Sequence, residues 1–242
     1  MKAIVLAAGR GSRLAPMTND KPKCLVTING KTLLERCITS LRQGGALRIG
    51  IVGGYRAECV EPYAEQFFFN PSWNHTGIFE SLRCAHEWLS SETCLVAYSD
   101  IFFGPKTVSA VGSSKPPIVI AYDPNAAALW RLRSSDPLSD FERFKMSRTG
   151  FVTEIGGRAQ SMDEVAGQYM GLLKIAPEGW RSLQEAQRKL PEKVQSAADM
   201  TSLISIAIGN GTPVYAVATN EPWGEVDTVH DLQVYEQLYP QL

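Results

Sequence analysis

A glycine-rich loop near the amino terminus carries the first residues that could do chemistry. Residues 6–25 read LAAGRGSRLAPMTNDKPKCL, and Gly9 and Gly11 directly follow a short apolar run. Because glycine has no Cβ atom, backbone N–H groups can come close to an anion there and surround it. Arg13 and Lys23 add positive charge to the same loop, and both side-chain types bind phosphate oxygens. The loop therefore favours a triphosphate site, although two glycines alone would also suit a plain turn between a strand and a helix.

The loop differs from two common phosphate-binding sequences. The dinucleotide fingerprint needs a third glycine that opens a helix at once and an acidic residue about twenty positions later. The Walker sequence needs Gly-Lys followed by Ser or Thr, and residues 6–25 contain no such run. The spacing therefore predicts a phosphate site of another kind.

Carboxylates at two distant places in the chain could bind one metal ion. Asp100 ends an apolar run in AYSDIFF, at the carboxyl end of a predicted strand, where open α/β sheets bind ligands. Glu225 and Asp227 lie two residues apart in WGEVD and would point the same way from an extended segment. Mg²⁺ prefers oxygen ligands and commonly takes one or two carboxylates beside substrate phosphates. We expect Asp100 and Asp227 to bind Mg²⁺, with Glu225 binding directly or through water; a loop-capping aspartate and a solvated turn are the plain alternatives.

The elements that must position these residues alternate between strand and helix. Residues 2–8, 47–52 and 93–98 are apolar runs typical of strands buried on both faces. Residues 31–43 place apolar side chains at helical spacing before a Gly-Gly stop. Such alternation predicts an α/β fold with a doubly wound, Rossmann-like mixed sheet that is mainly parallel and flanked by helices. Further helices are predicted at residues 57–66, 77–89, 197–208 and 229–238, and a further strand at residues 214–219.

The pattern of apolar and polar residues changes near residue 116. A strand at residues 118–121 and a polar stretch at 123–142 are followed by strand-like segments at 150–155 and 169–175. We interpret these segments as a small antiparallel extension that covers the sheet and supplies a pocket for a second ligand, which we call the acceptor. We expect one domain, residues 1–242, with a nucleotide-binding core at 1–115, the antiparallel acceptor-binding extension at 116–180, and a C-terminal part at 181–242 that closes the metal site.

Composition limits the partners. The chain has 242 residues, 44% hydrophobic content and 24 basic against 25 acidic residues, so a sizeable core is expected and no overall field would attract nucleic acid or an anionic membrane. Five scattered cysteines without a two-residue gap suggest reduced thiols. The apolar start is too short to span a membrane. We therefore expect a cytoplasmic protein that binds neither nucleic acid nor membrane.

The amino-terminal loop also carries a family resemblance. The segments Leu6-Ala7-Ala8-Gly9 and Gly11-Ser12-Arg13-Leu14, with Pro16, Thr18, Pro22-Lys23 and Leu25, resemble the signature of the nucleoside-triphosphate-transferase superfamily. This superfamily includes sugar-1-phosphate nucleotidylyltransferases and bacterial choline-phosphate cytidylyltransferases, and the resemblance implies a GT-A-like nucleotidyltransferase fold. It also implies that the loop wraps a triphosphate. Arg13 and Lys23 would then be the catalytic cations that stabilise charge on the α- and β-phosphates.

The predicted metal ligands fit the same resemblance. The segment after Trp223 is similar to the Glu-Ile-Asp element that precedes the last helix in the cytidylyltransferase branch, and Asp100 matches the acid that closes the central strand. The resemblance therefore implies that Asp100, Asp227 and Glu225 form one Mg²⁺ site.

The resemblance also indicates where the base binds. Residues 70–81, NPSWNHTGIFES, resemble the stretch with which this branch reads a pyrimidine, which makes Asn74 and Ser81 candidates. Trp73 and Phe79 are expected to pack. Gly53 ends the second predicted strand, where its backbone could meet a base edge or simply end the strand. The predicted nucleotide-binding set is Leu6, Ala7, Ala8, Gly9, Gly11, Ser12, Arg13, Lys23, Gly53, Asn74, Ser81 and Asp100.

The acceptor site is expected around residues 122–145, which mix basic and acidic side chains. Such a mixture could hold a zwitterionic acceptor that bears both phosphate and amine, or it could be a solvated polar loop. With residues 167–171 and 200–202, this stretch resembles phosphoglutamine and aminoethylphosphonate cytidylyltransferases. No aromatic cage for a quaternary ammonium is evident, which argues against choline. The predicted acceptor-binding residues are Tyr122, Arg131, Lys145 and Tyr169.

The sequence thus predicts a Mg²⁺-dependent nucleotidylyltransferase that transfers CMP from CTP to the phosphate or phosphonate of a small metabolite and releases pyrophosphate. The acceptor oxygen is ionised at neutral pH, so no general base is needed, and His75, His86 and His230 have no predicted role. Two alternatives stay open. One is a sugar-1-phosphate nucleotidylyltransferase that uses GTP, UTP or dTTP, and the other is a non-catalytic nucleotide-binding regulatory subunit. A homodimer is compatible with each interpretation.

Overall fold

The computed structural model describes residues 1–134 and 136–241. The strands are β1 (Lys2–Ala7), β2 (Thr27–Ile28), β3 (Lys31–Thr32), β4 (Arg48–Gly53), β5 (Gln66–Phe69), β6 (Cys94–Tyr98), β7 (Ile101–Phe102), β8 (Ile118–Asp123), β9 (Glu142–Met146), β10 (Val152–Arg158), β11 (Gln168–Ile175), β12 (Val214–Ala218) and β13 (Gly224–Glu225). The α-helices are α1 (Leu33–Gln43), α2 (Ile78–Arg83), α3 (His86–Ser91), α4 (Pro105–Ser113), α5 (Ala126–Arg133), α6 (Pro177–Lys189), α7 (Glu192–Gln195), α8 (Met200–Gly209) and α9 (Val229–Leu238).

A central sheet organises the molecule. Within the described residues, seven strands pair in the order β12-β8-β11-β6-β1-β4-β5. The pairs β1–β4, β1–β6, β4–β5 and β8–β12 are parallel, whereas β11 runs antiparallel to both β6 and β8. The predicted mixed, mainly parallel sheet flanked by helices is therefore confirmed.

Both faces of this sheet are covered, which explains the uninterrupted apolar runs of its strands. Along β1, Ala3 and Val5 belong to one buried cluster, and Ile4 and Leu6 belong to a second cluster on the opposite face. The first cluster includes side chains of α1, α4 and α9, and the second includes side chains of α2, α3, α6 and α8.

Two helix predictions need correction. Residues 57–66, predicted as a helix, instead form short 3-10 turns at Ala57–Cys59 and Glu61–Tyr63 that lead into β5. Pro62 lacks the N–H that a helix interior needs, and β5 gains a ladder of backbone bonds along β4. The helix predicted at residues 77–89 is interrupted, because α2 ends at Arg83 and α3 begins at His86.

The region 116–180 is divided differently from our expectation. The strands β8 and β11 lie inside the central sheet, so the interpretation of residues 118–121 and 169–175 as part of a covering extension was wrong. Most residues of both strands are buried on both sheet faces, which a covering layer would not require. A small antiparallel sheet does exist, formed by β9 and β10, and it packs against α8. The division of the chain into three functional parts stays a prediction.

A short antiparallel pair outside the central sheet connects the two acidic segments. β13 pairs with β7, with Glu225 opposite Ile101 and Gly224 opposite Phe102. A Cβ atom on Gly224 would lie 2.4 Å from the Tyr235 ring, so only glycine allows this close approach. The N–H of Val226 donates to the Asp100 carbonyl at 2.9 Å.

The five cysteines form no disulfide in the part of the chain that the structure describes. In residues 1–134 and 136–241, none of the helices combines the length and the apolar character needed to cross a bilayer.

Candidate active site

Three carboxylates converge at the carboxyl end of β6. Asp100 lies two residues after the end of β6. Glu225 is the last residue of β13, Asp227 lies two residues further along, and both reach the same point as Asp100. One carboxylate oxygen from each residue lies within 4.8 Å of the others. Residues far apart in sequence therefore form one compact group of oxygen donors.

Lys23 lies between two of these acids. Its Nζ donates to Asp100 Oδ2 at 2.8 Å and to Asp227 Oδ1 at 2.6 Å. Burial alone would lower the pKa of Lys23, but the charges and hydrogen bonds of Asp100 and Asp227 raise it above its usual value. The ammonium thus stays positive and balances part of the acidic charge.

Gly11 and Thr18 shape the loop that positions Lys23. Gly11 has a φ of 72°, and a Cβ there would lie 2.6 Å from the Cβ of Lys23. The Thr18 hydroxyl, fully buried, donates to the Gly11 carbonyl at 2.9 Å. Part of the glycine pattern in this loop therefore makes room for the lysine stem.

Arg13 reaches the acids from the solvent side. Its Nη2 donates to Asp227 Oδ1 at 2.7 Å, while 69% of the side chain stays exposed. An exposed guanidinium can reorient towards an arriving phosphate at little cost, because exposed ion pairs are weak.

The carboxyl group of Glu225 has a strongly raised pKa. Burial, followed by the negative charges of Asp100 and Asp227, raises the pKa of Glu225 to about 7. The surroundings of Glu225 therefore disfavour its charged form, and a cation placed among the three acids would favour it.

The residues present fit a Mg²⁺ ion. Every donor in the group is a carboxylate oxygen, the ligand type that Mg²⁺ prefers. Asp100 Oδ1 is buried and has no hydrogen-bond partner among the described residues, so one oxygen is left for a cation. Asp100, Asp227 and Glu225 are the residues that would hold the metal.

A cavity of ≈ 190 Å³ opens beside Lys23 and Asp100. The ends of β1 and β6 form its floor, and the segment before α2 forms a wall. Of the predicted nucleotide-binding residues, those that line it are Leu6, Ala8, Gly9, Lys23, Ser81 and Asp100.

Other predicted nucleotide-binding residues lie elsewhere. Ala7 is buried in the core, and Gly11 and Ser12 belong to the loop that carries Lys23 and Arg13. Gly53 is not among the lining residues, and a Cβ on it would lie 2.6 Å from the Phe67 ring, so packing explains this glycine. Asn74 is exposed and also does not line the cavity.

Sequence reasoning missed part of the cavity wall. Trp73, expected to pack, lines the cavity together with Thr76 and meets the Tyr55 ring edge-on at 5.2 Å. Asn70 is buried, and its Nδ2 donates to the hydroxyls of Thr76 and Ser81, which ties this loop to α2. An asparagine in a Pro-Ser turn was the available signal, but its partners depend on the fold.

Two further cavities of ≈ 250 Å³ flank Glu225, and both are lined by Gln168 and Glu225. One, which we call the acidic cavity, is lined by Glu142, Asp199 and Thr201 as well as by Tyr98 and Tyr169. The other, which we call the arginine cavity, is lined by Arg13, Trp130, Arg133, Asp227 and Asp231, among others.

Only Tyr169 of the predicted acceptor-binding residues lines either of these cavities. Tyr122 contacts the Phe144 ring at 5.2 Å and lines a separate cavity beside β12. Lys145 pairs with Glu154 across the β9–β10 sheet, and Arg131 lies on the exposed face of α5. Arg133, two positions along the same helix, faces inward instead, because residues two apart do not share a helix face.

Comparisons with known proteins found one matching family model and several similar proteins. A family model described as the MobA-like NTP transferase domain matches residues 3–150. The CTP:phosphoglutamine cytidylyltransferase of Campylobacter jejuni is 30% identical over 97% of this chain and 98% of its own length. The choline-phosphate cytidylyltransferase of Streptococcus pneumoniae is 39% identical over 42% of this chain and 46% of its own length. The structure of an inositol-1-phosphate CTP transferase from T. maritima superposes with a TM-score of 0.76 at 20% identity, covering 100% of this chain and 97% of that one.

The raised pKa of Glu225 gives a testable stability difference in the metal-free protein. A carboxyl whose folded pKa exceeds its unfolded pKa favours folding below the unfolded value, and that contribution is lost as pH rises from about 4.5 to about 7. Glu225→Gln removes this loss. The melting temperature of Glu225→Gln minus that of the unsubstituted protein, measured with EDTA, should therefore increase between pH 4.5 and pH 8. Glu236→Gln, an exposed change on α9, is the control, and a difference that does not vary with pH would contradict the assignment.

Proposed function

Because the chain belongs to the MobA-like NTP transferase family and is a nucleotidyltransferase, we propose that it transfers CMP from CTP to the phosphate or phosphonate of a small amine-bearing metabolite, with release of pyrophosphate. The observation that carries this proposal is the convergence of Lys23, Asp100 and Asp227 beside the cavity at the ends of β1 and β6. The full-length similarity to a protein named as a phosphoglutamine cytidylyltransferase supports CTP as the nucleotide.

The loop and its cations bind the triphosphate. Gly9 leaves open space above its backbone at the cavity, where an added Cβ would meet nothing within 4 Å, so a phosphate can approach there. Lys23 and Arg13 exchange carboxylate partners for phosphate oxygens, which they can do because both already point to the same place. Mg²⁺, held by Asp100, Asp227 and Glu225, would supply neutralisation of phosphate charge when bound.

The reaction depends on how the acceptor oxygen is positioned relative to the α-phosphorus. An acceptor oxygen, ionised at neutral pH, attacks the α-phosphorus in line; a new P–O bond forms to the acceptor, and the bond from the α-phosphorus to the bridging oxygen of pyrophosphate breaks. No proton has to be removed from the acceptor, so no general base is required. Lys23 stabilises the charge that gathers on the α-phosphate oxygens.

The acidic cavity supports an amine on the acceptor. Glu142 and Asp199 form no ion pair with any described residue, and Thr201 donates to Glu142 Oε1 at 3.2 Å. Burial, and then the negative charge of Asp199, raises the pKa of Glu142. An ammonium group would supply the missing positive charge, while the phosphate of the same molecule reaches the site past Glu225, which lines this cavity too.

The central test is a substrate panel that measures pyrophosphate release with Mg²⁺ present. CTP with aminoethylphosphonate or phosphoglutamine should give turnover, and GTP, UTP or dTTP with glucose 1-phosphate should give little. Exclusive use of a hexose phosphate would overturn the proposed acceptor, and CTP binding without turnover on any acceptor would favour a regulatory role.

Two substitutions test the phosphate and metal residues. Lys23→Met and Asp227→Asn should each lower kcat about 100- to 1000-fold, because charge stabilisation in the transition state is lost. Lys21→Met, in the same loop but outside the acid cluster, is the matched control and should retain activity. Circular dichroism verifies folding; a near-normal kcat in either test variant would remove that residue from the site.

A third substitution tests the acceptor side. Glu142→Gln should raise the KM for an amine-bearing acceptor roughly 10-fold, the effect of losing one charged hydrogen bond, and leave the KM for CTP unchanged. Glu154→Gln, an exposed change on β10, is the control. If Glu142→Gln weakens an acceptor without an amine, such as ethylphosphonate, by the same factor, Glu142 does not read the amine.

A further inference from the structure

Arg133 is a buried cation at the edge of the acid cluster. It is the last residue of α5, and only 8% of its side chain is exposed. Its Nε donates to Asp231 Oδ1 at 2.8 Å, whereas its Nη2 lies 4.0 Å from Asp227 Oδ2, too far for a hydrogen bond. Arg133 therefore contacts Asp231 directly and Asp227 only at a distance.

Asp231 connects Arg133 to the backbone of Asp227. The second carboxylate oxygen, Asp231 Oδ2, accepts hydrogen bonds from the N–H of Asp227 at 2.9 Å and from the N–H of Thr228 at 2.8 Å. The Thr228 hydroxyl donates to the same oxygen at 3.0 Å, and it also accepts from the Asp231 N–H to complete a capping box at the start of α9. One carboxylate thus fixes the backbone that presents Asp227.

Arg133 compensates the charge of this buried carboxylate. Asp231 is only 3% exposed, so its charge needs partners within the fold. Arg133 donates to one of its oxygens, and the backbone N–H groups of Asp227 and Thr228 donate to the other. Without the guanidinium, Asp231 would be a buried charge beside Asp227, which the fold could relieve only by protonation or movement.

The guanidinium is itself held in place by aromatic rings. It lies over the Trp130 ring, 4.5 Å from the centroid, and Trp130 packs on Trp223 at 5.8 Å. Its Nη1 is buried and has no hydrogen-bond partner among the described residues, which costs free energy. A buried ion pair with an unsatisfied N–H is a poor source of stability, so its position near the acids calls for another explanation.

From these contacts we propose that Arg133 is a positioning residue for the metal carboxylate Asp227 and acts through Asp231. This proposal rests on the proposed function, since it takes Asp227 as a metal ligand. It also links α5, beside the arginine cavity, to the metal site. An outer partner of this kind sets the orientation of a ligand rather than touching the metal.

The test compares Arg133→Met with Arg131→Met, which removes an exposed arginine from the same helix. In metal-free protein, hydrogen exchange of the amides of Asp227 and Thr228 should speed up in Arg133→Met alone, while exchange in β1 and β6 stays slow. Mn²⁺ affinity, measured by electron paramagnetic resonance without acceptor, should fall roughly 10- to 100-fold, the usual effect of losing an outer-shell partner. Arg133→Lys should restore part of the affinity, because an ammonium can still pair with Asp231.

A double substitution separates this role from a general loss of stability. Arg133→Met combined with Asp231→Asn should weaken Mn²⁺ binding no more than the stronger single change, since both break one connection. Unchanged Mn²⁺ affinity and unchanged exchange at Asp227 in Arg133→Met would overturn the proposal. Neither readout needs turnover, so a failed substrate panel would leave this result standing.

Discussion

The pairing of β13 with β7 places the carboxylates of Asp100 and Asp227 side by side, although the two residues lie far apart in the chain. The bond from the Val226 N–H to the Asp100 carbonyl closes this pairing, and the absence of a Cβ on Gly224 permits it. Without this short ladder, the amino-terminal loop would meet one acid and not two. The proposed metal site, and the phosphate chemistry that depends on it, follows from this contact between distant segments.

Like charges held so close together need cations, and the fold supplies them from three directions. Lys23 enters from the glycine-rich loop, Arg13 from the solvent side, and Arg133 from α5. Lys23 and Arg13 both donate to Asp227 Oδ1, and Arg133 donates to Asp231, so removal of one cation changes the charge balance of the whole group. Burial and the two neighbouring carboxylates raise the pKa of Glu225, so a divalent cation among the three acids would stabilise its charged form.

In the acceptor region, the local sequence indicated a stretch of the chain, whereas tertiary contacts determined which side chains line a cavity. The mixed charges of residues 122–145 led to the prediction of an acceptor site in this stretch, whereas residues that line the acidic cavity come from β9, β11 and the start of α8. Arg131 and Arg133 look equivalent in the sequence, and only the packing of α5 against α9 turns one outward and one inward. Trp73 was likewise indistinguishable from a core residue until its loop was placed.

The sequence by itself determined the nucleotidyltransferase loop and the alternation of strands and helices, because each of these is encoded in residues close together in the chain. It also singled out Asp100, Glu225 and Asp227 as candidate metal ligands, since each acid lies in a short motif of its own. The tertiary structure alone decided that β8 and β11 complete the central sheet, that Asn70 fixes the cavity wall, and that Asp231 carries the influence of Arg133 to Asp227. These features depend on pairings between distant segments and on side-chain direction, and neither leaves a periodic trace in the sequence.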